Sequence, residues 1–199
     1  MGELWQKSSH WPRSCPFRFH SSRPSSMPAS LILNATWILS IQFGFLAASV
    51  PIIAALLAVL IWAFRITLDT RPKNVVETIV ADGTVGLYLG WVCVATAANI
   101  TALLVAAGFR GFGLGADAWA VLIVAVAGLV GVLVAIRGKG RLAPAVSLSW
   151  GLAWVAVARL TGDLLSAPAA IAAIVAVAAV IAATITLRIR NRSPRAVVA

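Results

Sequence analysis

The chain has 199 residues, of which 61% are hydrophobic and only 11% are charged. A soluble domain of this length needs more polar residues to cover its surface, so the composition predicts a polytopic membrane protein in a lipid bilayer. The net charge of +10 would suit nucleic acid in a soluble protein. Here the basic residues lie in short loops and tails, where they orient membrane helices. We therefore expect no nucleic-acid binding, and the 2 Cys and 2 His residues have no metal-ligand spacing.

Residues 1–29 form a polar and basic segment rich in Ser and Pro. The segment has no apolar run of the length found in signal peptides, and its prolines and tryptophans interrupt any amphipathic helix. We predict a disordered tail. A second interpretation is that this stretch is an artefact, because its composition is what a GC-rich gene yields when it is translated out of frame.

The rest of the chain predicts an all-α transmembrane helix bundle of about six spans. As one helix, the first apolar stretch (31–68) would reach about 57 Å, almost twice the roughly 30 Å hydrocarbon core, so we divide it at Ser49–Pro51. Asn74 and Glu77 fit a capping box that opens the third helix. The predicted helices are 30–48, 51–68, 82–107, 118–136, 142–160 and 168–188, followed by a basic tail at 191–199.

The basic residues are distributed very unequally between the two sides of this arrangement. With six spans, one side receives fourteen of the 16 Lys and Arg residues, and the other receives only Arg110 and Arg159. Basic loops are retained in the cytoplasm. Both termini are therefore predicted to be cytoplasmic, in a bacterial cell membrane.

A stripe of polar, aromatic and small residues runs along the third helix. Its members recur at steps of three and four and are Thr84, Tyr88, Trp91, Ala95 and Asn99. Such a spacing places them on one face of a helix. An unpaired amide is costly in hydrocarbon, so the stripe is predicted to face the bundle interior.

Two interpretations of these polar residues remain open. Asn34 and Trp37 share a face of the first helix, as Asn99 and Trp91 do on the third. The amides either join helices through hydrogen bonds or furnish a pocket with aromatic walls for a large, flat amphipathic ligand. Gly86 and Gly90 form a G-x-x-x-G pair on another face of the third helix, which predicts close helix packing.

No catalytic constellation is visible. The sequence has no nucleophile–base pair, phosphate loop or paired intramembrane carboxylates, so we predict that the protein is not an enzyme. A proton-coupled carrier usually has an ionisable residue at mid-membrane, and none is evident here.

The two polar motifs resemble those of the tryptophan-rich sensory proteins, which are related to the mitochondrial translocator protein. The third helix of that family typically has the pattern L-x-L-N-x-x-W, which "LILNATW" matches at residues 31–37. Its fifth helix typically has W-V-x-F-A-T-x-L-N, and "WVCVATAAN" (91–99) keeps all but two of the defined positions, departing at Val94 and Ala98. The resemblance covers residues 30–108, and residues 109–190 would be three additional helices. The first two helices of the family are not found.

The resemblance implies an all-helical bundle that binds tetrapyrroles, such as haem and protoporphyrin, or sterol-like ligands for sensing or transport. The ligand-binding residues it implies are Asn34, Trp37, Tyr88, Trp91, Ala95 and Asn99. A homo-oligomer is also left open. The alternatives are a small transporter or channel subunit, or an inactive membrane fragment.

Overall fold

A computed structural model describes residues 26–69 and 83–192. These residues form six long α-helices and no strand, which confirms the predicted all-α class. The helices are α1 (Ser26–Gln42), α2 (Leu46–Asp69), α3 (Thr84–Ala106), α4 (Ala116–Arg137), α5 (Leu142–Thr161) and α6 (Ala167–Arg192), with a short 3-10 helix at Gly111–Gly113. The predicted capping box at Asn74 and Glu77 lies outside the described residues.

The helices have the length and composition of membrane spans. In the described part of the chain, α2 to α6 are each long and apolar enough to cross a bilayer. Helix α1 has 17 residues, or about 26 Å at 1.5 Å per residue, which is the short end of the range for a span.

The turn between α1 and α2 lies at Phe43–Phe45, and the predicted break at Ser49–Pro51 is wrong. Gly44 has a φ of +78°, and its N–H donates to the Ile41 carbonyl at 3.0 Å. The N–H of the next residue donates to the carbonyl five residues earlier at 2.8 Å. This is a Schellman cap, which favours glycine in the left-handed region. Pro51 is tolerated inside α2 near its start, where its missing N–H frees one carbonyl.

Two predicted boundaries are also corrected at the ends of the described chain. Helix α1 begins at Ser26 rather than at residue 30, so the predicted tail is too long. Pro28 in the first turn does not break the helix, because the N–H groups there have no helical partner in any case. Helix α6 continues to Arg192, past the predicted end at 188. The predictions for residues 1–25 and 193–199 lie outside the described residues.

The packing order of the helices differs from their order in the chain. Helix α2 packs against α1 and α3, α3 packs against α5, and α6 packs against α5 and α4. One apolar core joins α1, α2 and α3, and a second joins α4, α5 and α6. Small residues bring the backbones close at two of these contacts: Gly90 of α3 faces Pro144 and Ser147, and Gly128 of α4 faces Ala176.

Hydrogen bonds hold helix ends together on one side of the bundle. They join Arg141 to Thr67, Asn191 to Lys139, and Tyr88 to Ser30. These residues lie at the starts of α1, α3 and α5 and at or just beyond the ends of α2, α4 and α6. The helices therefore alternate in direction, and both ends of the described chain lie on the same side.

We expect that side to be cytoplasmic, because it carries most of the basic residues. Reporter fusions at residues 44, 112, 139 and 199 should be located outside, outside, inside and inside, respectively. The fusion at residue 44 tests whether the short α1 spans the membrane. A periplasmic signal from the fusion at residue 199 would contradict the six-span topology.

Candidate functional site

The predicted ligand-binding residues lie around the core that α1, α2 and α3 share. The centre of this core is buried and aliphatic, with Ile53 and Leu56 from α2 and Leu89 and Val92 from α3 among its members. Residues of the predicted site that pack against its edge are Trp37, Tyr88 and Ala95. The structure thus brings residues of the two motifs to one three-helix unit, although the motifs are far apart in the chain.

Trp37 contributes a buried hydrogen-bond donor that has no partner among the described residues. Its ring packs on the shared core, and its Nε1 atom makes no hydrogen bond in the described part of the protein. Leaving such a donor unpaired costs about 1–3 kcal/mol. Asn34, three residues earlier on α1, is half-buried. Helix α1, which carries both residues, packs chiefly against α2.

Tyr88 joins the start of α3 to the start of α1. Its hydroxyl lies 3.5 Å from the carbonyl oxygen of Ser30, at the limit for a hydrogen bond. Ser30 is itself buried, and its hydroxyl donates to the Met27 carbonyl at 2.9 Å. Tyr88 therefore has a polar atom between two helices that both flank α2.

The predicted stripe on α3 divides between two environments. Ala95 and Tyr88 are half-buried towards α2, whereas the Trp91 side chain is 51% exposed and lies outside the shared core. Trp91 is therefore on the side of α3 that lipid would cover. It remains adjacent to Tyr88 and Ala95, because residues three and four apart are neighbours on a helix surface.

Asn99 is bound within the bundle. Its side chain is only 6% exposed, and its Nδ2 atom donates to the Ser49 hydroxyl of α2 at 2.9 Å. The Ser49 hydroxyl in turn lies 2.7 Å from the Leu46 carbonyl and 3.2 Å from the Asn99 Oδ1 atom. This is the helix-joining arrangement that the sequence left open as one alternative. Sequence reasoning missed Ser49 because it assigned that residue to a turn.

Replacing either member of this pair should weaken the α2–α3 contact modestly. Hydrogen bonds between membrane helices contribute about 0.6 kcal/mol on average. We expect Asn99→Ala and Ser49→Ala each to lower the free energy of unfolding, and the double variant to lose less than the sum. Reversible unfolding in mixed micelles measures all three. Additive losses would mean that the two side chains do not interact in the membrane.

The electrostatics of the region favour an uncharged or amphipathic ligand. Within residues 26–69 and 83–192, charged side chains lie at or near helix ends, as Arg65 and Asp69 do in α2. No group of three or more potential metal ligands occurs in the same residues. What this site offers chemically is aromatic surface, an indole N–H, a phenol hydroxyl and amide groups.

Comparison with protein-family models identifies the family of this chain. The model described as TSPO-like protein matches residues 19–188. The chain belongs to the TSPO-like protein family. Comparisons with curated proteins and with solved structures gave no match.

The family match extends beyond the segment that carries the two motifs. The match runs through residue 108, where the motif resemblance ends, and continues over α4, α5 and most of α6. All six helices of the described structure thus lie mainly inside it. Together with the apolar helices, this identifies a multi-pass membrane protein of the sensory or translocator-like type.

Proposed function

We propose that this TSPO-like protein binds a planar hydrophobic ligand, a tetrapyrrole such as haem or protoporphyrin, on the α1–α3 face. We define that face by Asn34, Trp37, Tyr88, Trp91 and Ala95. The ligand would lie over α2 between the two flanking helices and would be open to lipid along one edge.

The main support for this proposal is the Nε1 atom of Trp37, which is buried and makes no hydrogen bond among the described residues. A ligand carboxylate or carbonyl that accepted this hydrogen bond would remove the cost of the buried donor. The ligand would reach the donor by displacing α1, which packs chiefly on α2. A buried indole N–H normally has a partner, and a bound ligand would supply the partner that residues 26–69 and 83–192 do not.

The other residues of the face would hold the ring system. Trp91 and Tyr88 offer aromatic surface one turn apart, and such contacts contribute about 0.5–1.5 kcal/mol each beyond simple burial. Ala95 leaves room beside them because its side chain is a single methyl group. Asn99 acts as a positioning residue in this account, since its amide fixes α3 against α2 through Ser49.

Quenching of tryptophan fluorescence by protoporphyrin tests the proposal in nanodiscs. We expect saturable quenching by the parent protein and weaker binding by Trp91→Phe. The control is Trp119→Phe. Trp119 lies in the first turn of α4, and its Nε1 atom donates to the carbonyl of Gly111 in the preceding loop at 2.8 Å, away from the α1–α3 face. Equal affinity of all three proteins would remove Trp91 from the site, and absence of saturable quenching would refute ligand binding altogether.

We further propose that the protein binds this ligand for sensing or for transport. A sterol-like ligand is tested by competition with protoporphyrin in the same assay. A transporter or channel subunit would instead move a substrate across liposomes that contain the purified protein. Flux without saturable ligand binding would favour that second function. The absence of both flux and saturable binding would favour an inactive fragment.

A further inference from the structure

A cavity of about 630 Å³ lies between α5 and α6. Its lining includes the small residues Ala145, Ser149 and Ala153, which follow one another at four-residue steps along α5. Bulkier side chains flank this stripe on both sides, with Trp150 on α5 and Ile181 on α6. The result is an apolar channel that is open towards lipid. Leu87 of α3, one turn before Trp91, also lines it, whereas the residues that define the α1–α3 face do not.

Ser149 contributes a buried hydroxyl to the wall of this channel. The residue is only 8% exposed, and its Oγ atom makes no hydrogen bond within the described chain. Hydroxyls in these helices generally donate to a carbonyl one turn earlier; that of Thr184, which also lines the channel, does so to Val180 at 2.7 Å. Ser149 is therefore a buried polar group on the channel wall, and rotation about its χ1 angle would present the hydroxyl to a ligand atom.

A basic residue lies at the channel end nearest the predicted cytoplasmic side. Arg188 follows Thr184 by four residues on α6 and so lies on the same helix face, one turn closer to the membrane surface. A long basic side chain at this depth reaches the headgroup level with its charged end. The site therefore combines an apolar channel, a buried hydroxyl and a cation at the mouth.

The levels of these groups fix the spacing that a ligand must have. A Cβ atom built on Gly131 would meet both Val180 and Leu148, so those two residues lie at the same height in the bundle. Arg188 is eight residues beyond Val180, or about 12 Å along the helix axis. Because Ser149 adjoins Leu148, it lies about that far below the Arg188 backbone, and the charged end of Arg188 lies higher still.

We propose that this channel binds a long-chain fatty acid that carries an oxygen near the middle of its chain. The carboxylate would pair with Arg188, the chain would lie over Ala145 and Ala153, and the mid-chain oxygen would bond to Ser149. A phospholipid fits less well, because its polar atoms all lie near the membrane surface rather than at the depth of Ser149.

Oleate and ricinoleate test the proposal, since they differ by one mid-chain hydroxyl. Binding to the full-length protein is measured in phosphatidylcholine nanodiscs and corrected with empty nanodiscs. We expect ricinoleate to bind about three- to tenfold more tightly, the range that one hydrogen bond provides. Ser149→Ala should abolish this preference and leave oleate affinity unchanged.

Further variants separate the headgroup and channel contributions. Arg188→Gln should weaken both fatty acids by about two- to fivefold, as for an exposed ion pair. Arg159→Gln, at the opposite end of α5, should change neither. Ala153→Phe should block the channel at an exposed position, whereas Ala158→Phe, exposed on the same helix outside the channel, should not.

Three results would overturn the assignment. One is equal binding of oleate and ricinoleate by the parent protein, and another is a ricinoleate preference that survives in Ser149→Ala. The third is the absence of saturable binding of either fatty acid. Retention of helical circular dichroism and monodispersity by each variant shows that a loss of binding is not a loss of folding.

Discussion

Replacing Gly90 with leucine is expected to separate α3 from α5 and to lower the free energy of unfolding by about 3 kcal/mol. A Cβ atom at Gly90 would collide with the carbonyl oxygen of Pro144 and lie 3.0 Å from the Leu148 nitrogen. Both are backbone atoms of α5, so no side-chain rotation can relieve the overlap. The two helices must move apart, and the packing on both sides of Gly90 is lost.

Gly115→Leu is the matched control for this prediction. Nothing lies within 4 Å of a Cβ atom at Gly115, and its φ of −65° suits any residue. Because Gly115 is the N-cap of α4, leucine there should cost no more than about 1 kcal/mol. Steric-trapping or mixed-micelle unfolding compares the two variants. A Gly90→Leu protein as stable as Gly115→Leu would show that α3 and α5 are not in close contact.

The sequence predicted that Gly86 and Gly90 mark a close helix contact, and this is confirmed. It did not indicate that α5 is the partner. The spacing of two glycines is a local property of α3, whereas the partner depends on which helix can present a matching small surface. Pro144 and Ser147 of α5 do so from far along the chain.

The position of the first turn was predicted wrongly because proline was weighted above glycine. Pro51 is the sixth residue of α2 and removes one helical hydrogen bond without ending the helix, while Gly44 adopts the left-handed conformation that ends α1. The error had a further consequence. Once Ser49 was assigned to a turn, nothing in the sequence identified it as the partner of Asn99.

The neighbours of each residue on α3 were predictable, but the environment of each residue was not. A spacing of three and four residues places Tyr88, Trp91 and Ala95 within one sector of α3. That sector is wider than the surface α2 covers, so Trp91 at its edge is half exposed while Ala95 is not. Helical periodicity defines which residues are neighbours, and packing decides how far a neighbouring helix extends over them.

Trp37→Phe is expected to separate the effect of ligand binding from that of stability. Phenylalanine keeps an aromatic ring on the shared core but removes the unpartnered N–H. The free energy of unfolding should stay about the same, because the loss of a buried donor without a partner offsets the packing lost with the smaller ring. Affinity for protoporphyrin should fall about three- to tenfold, because the ligand loses one hydrogen bond.

Trp62→Phe is the control for this variant. Trp62 lies on α2 and is 51% exposed. It is not a member of the core that α1, α2 and α3 share. The same exchange of an indole for a phenyl ring is made there, so a general effect of losing tryptophan would appear in both proteins. We expect Trp62→Phe to bind protoporphyrin with the affinity of the parent.

The most direct test of ligand binding on the α1–α3 face is the dissociation constant of protoporphyrin in nanodiscs for the parent, Trp37→Phe and Trp62→Phe. Absorbance of the bound porphyrin provides the signal, so the loss of one fluorophore does not affect the readout. The account predicts weaker binding for Trp37→Phe alone, with its stability retained. Equal dissociation constants for the three proteins would contradict it.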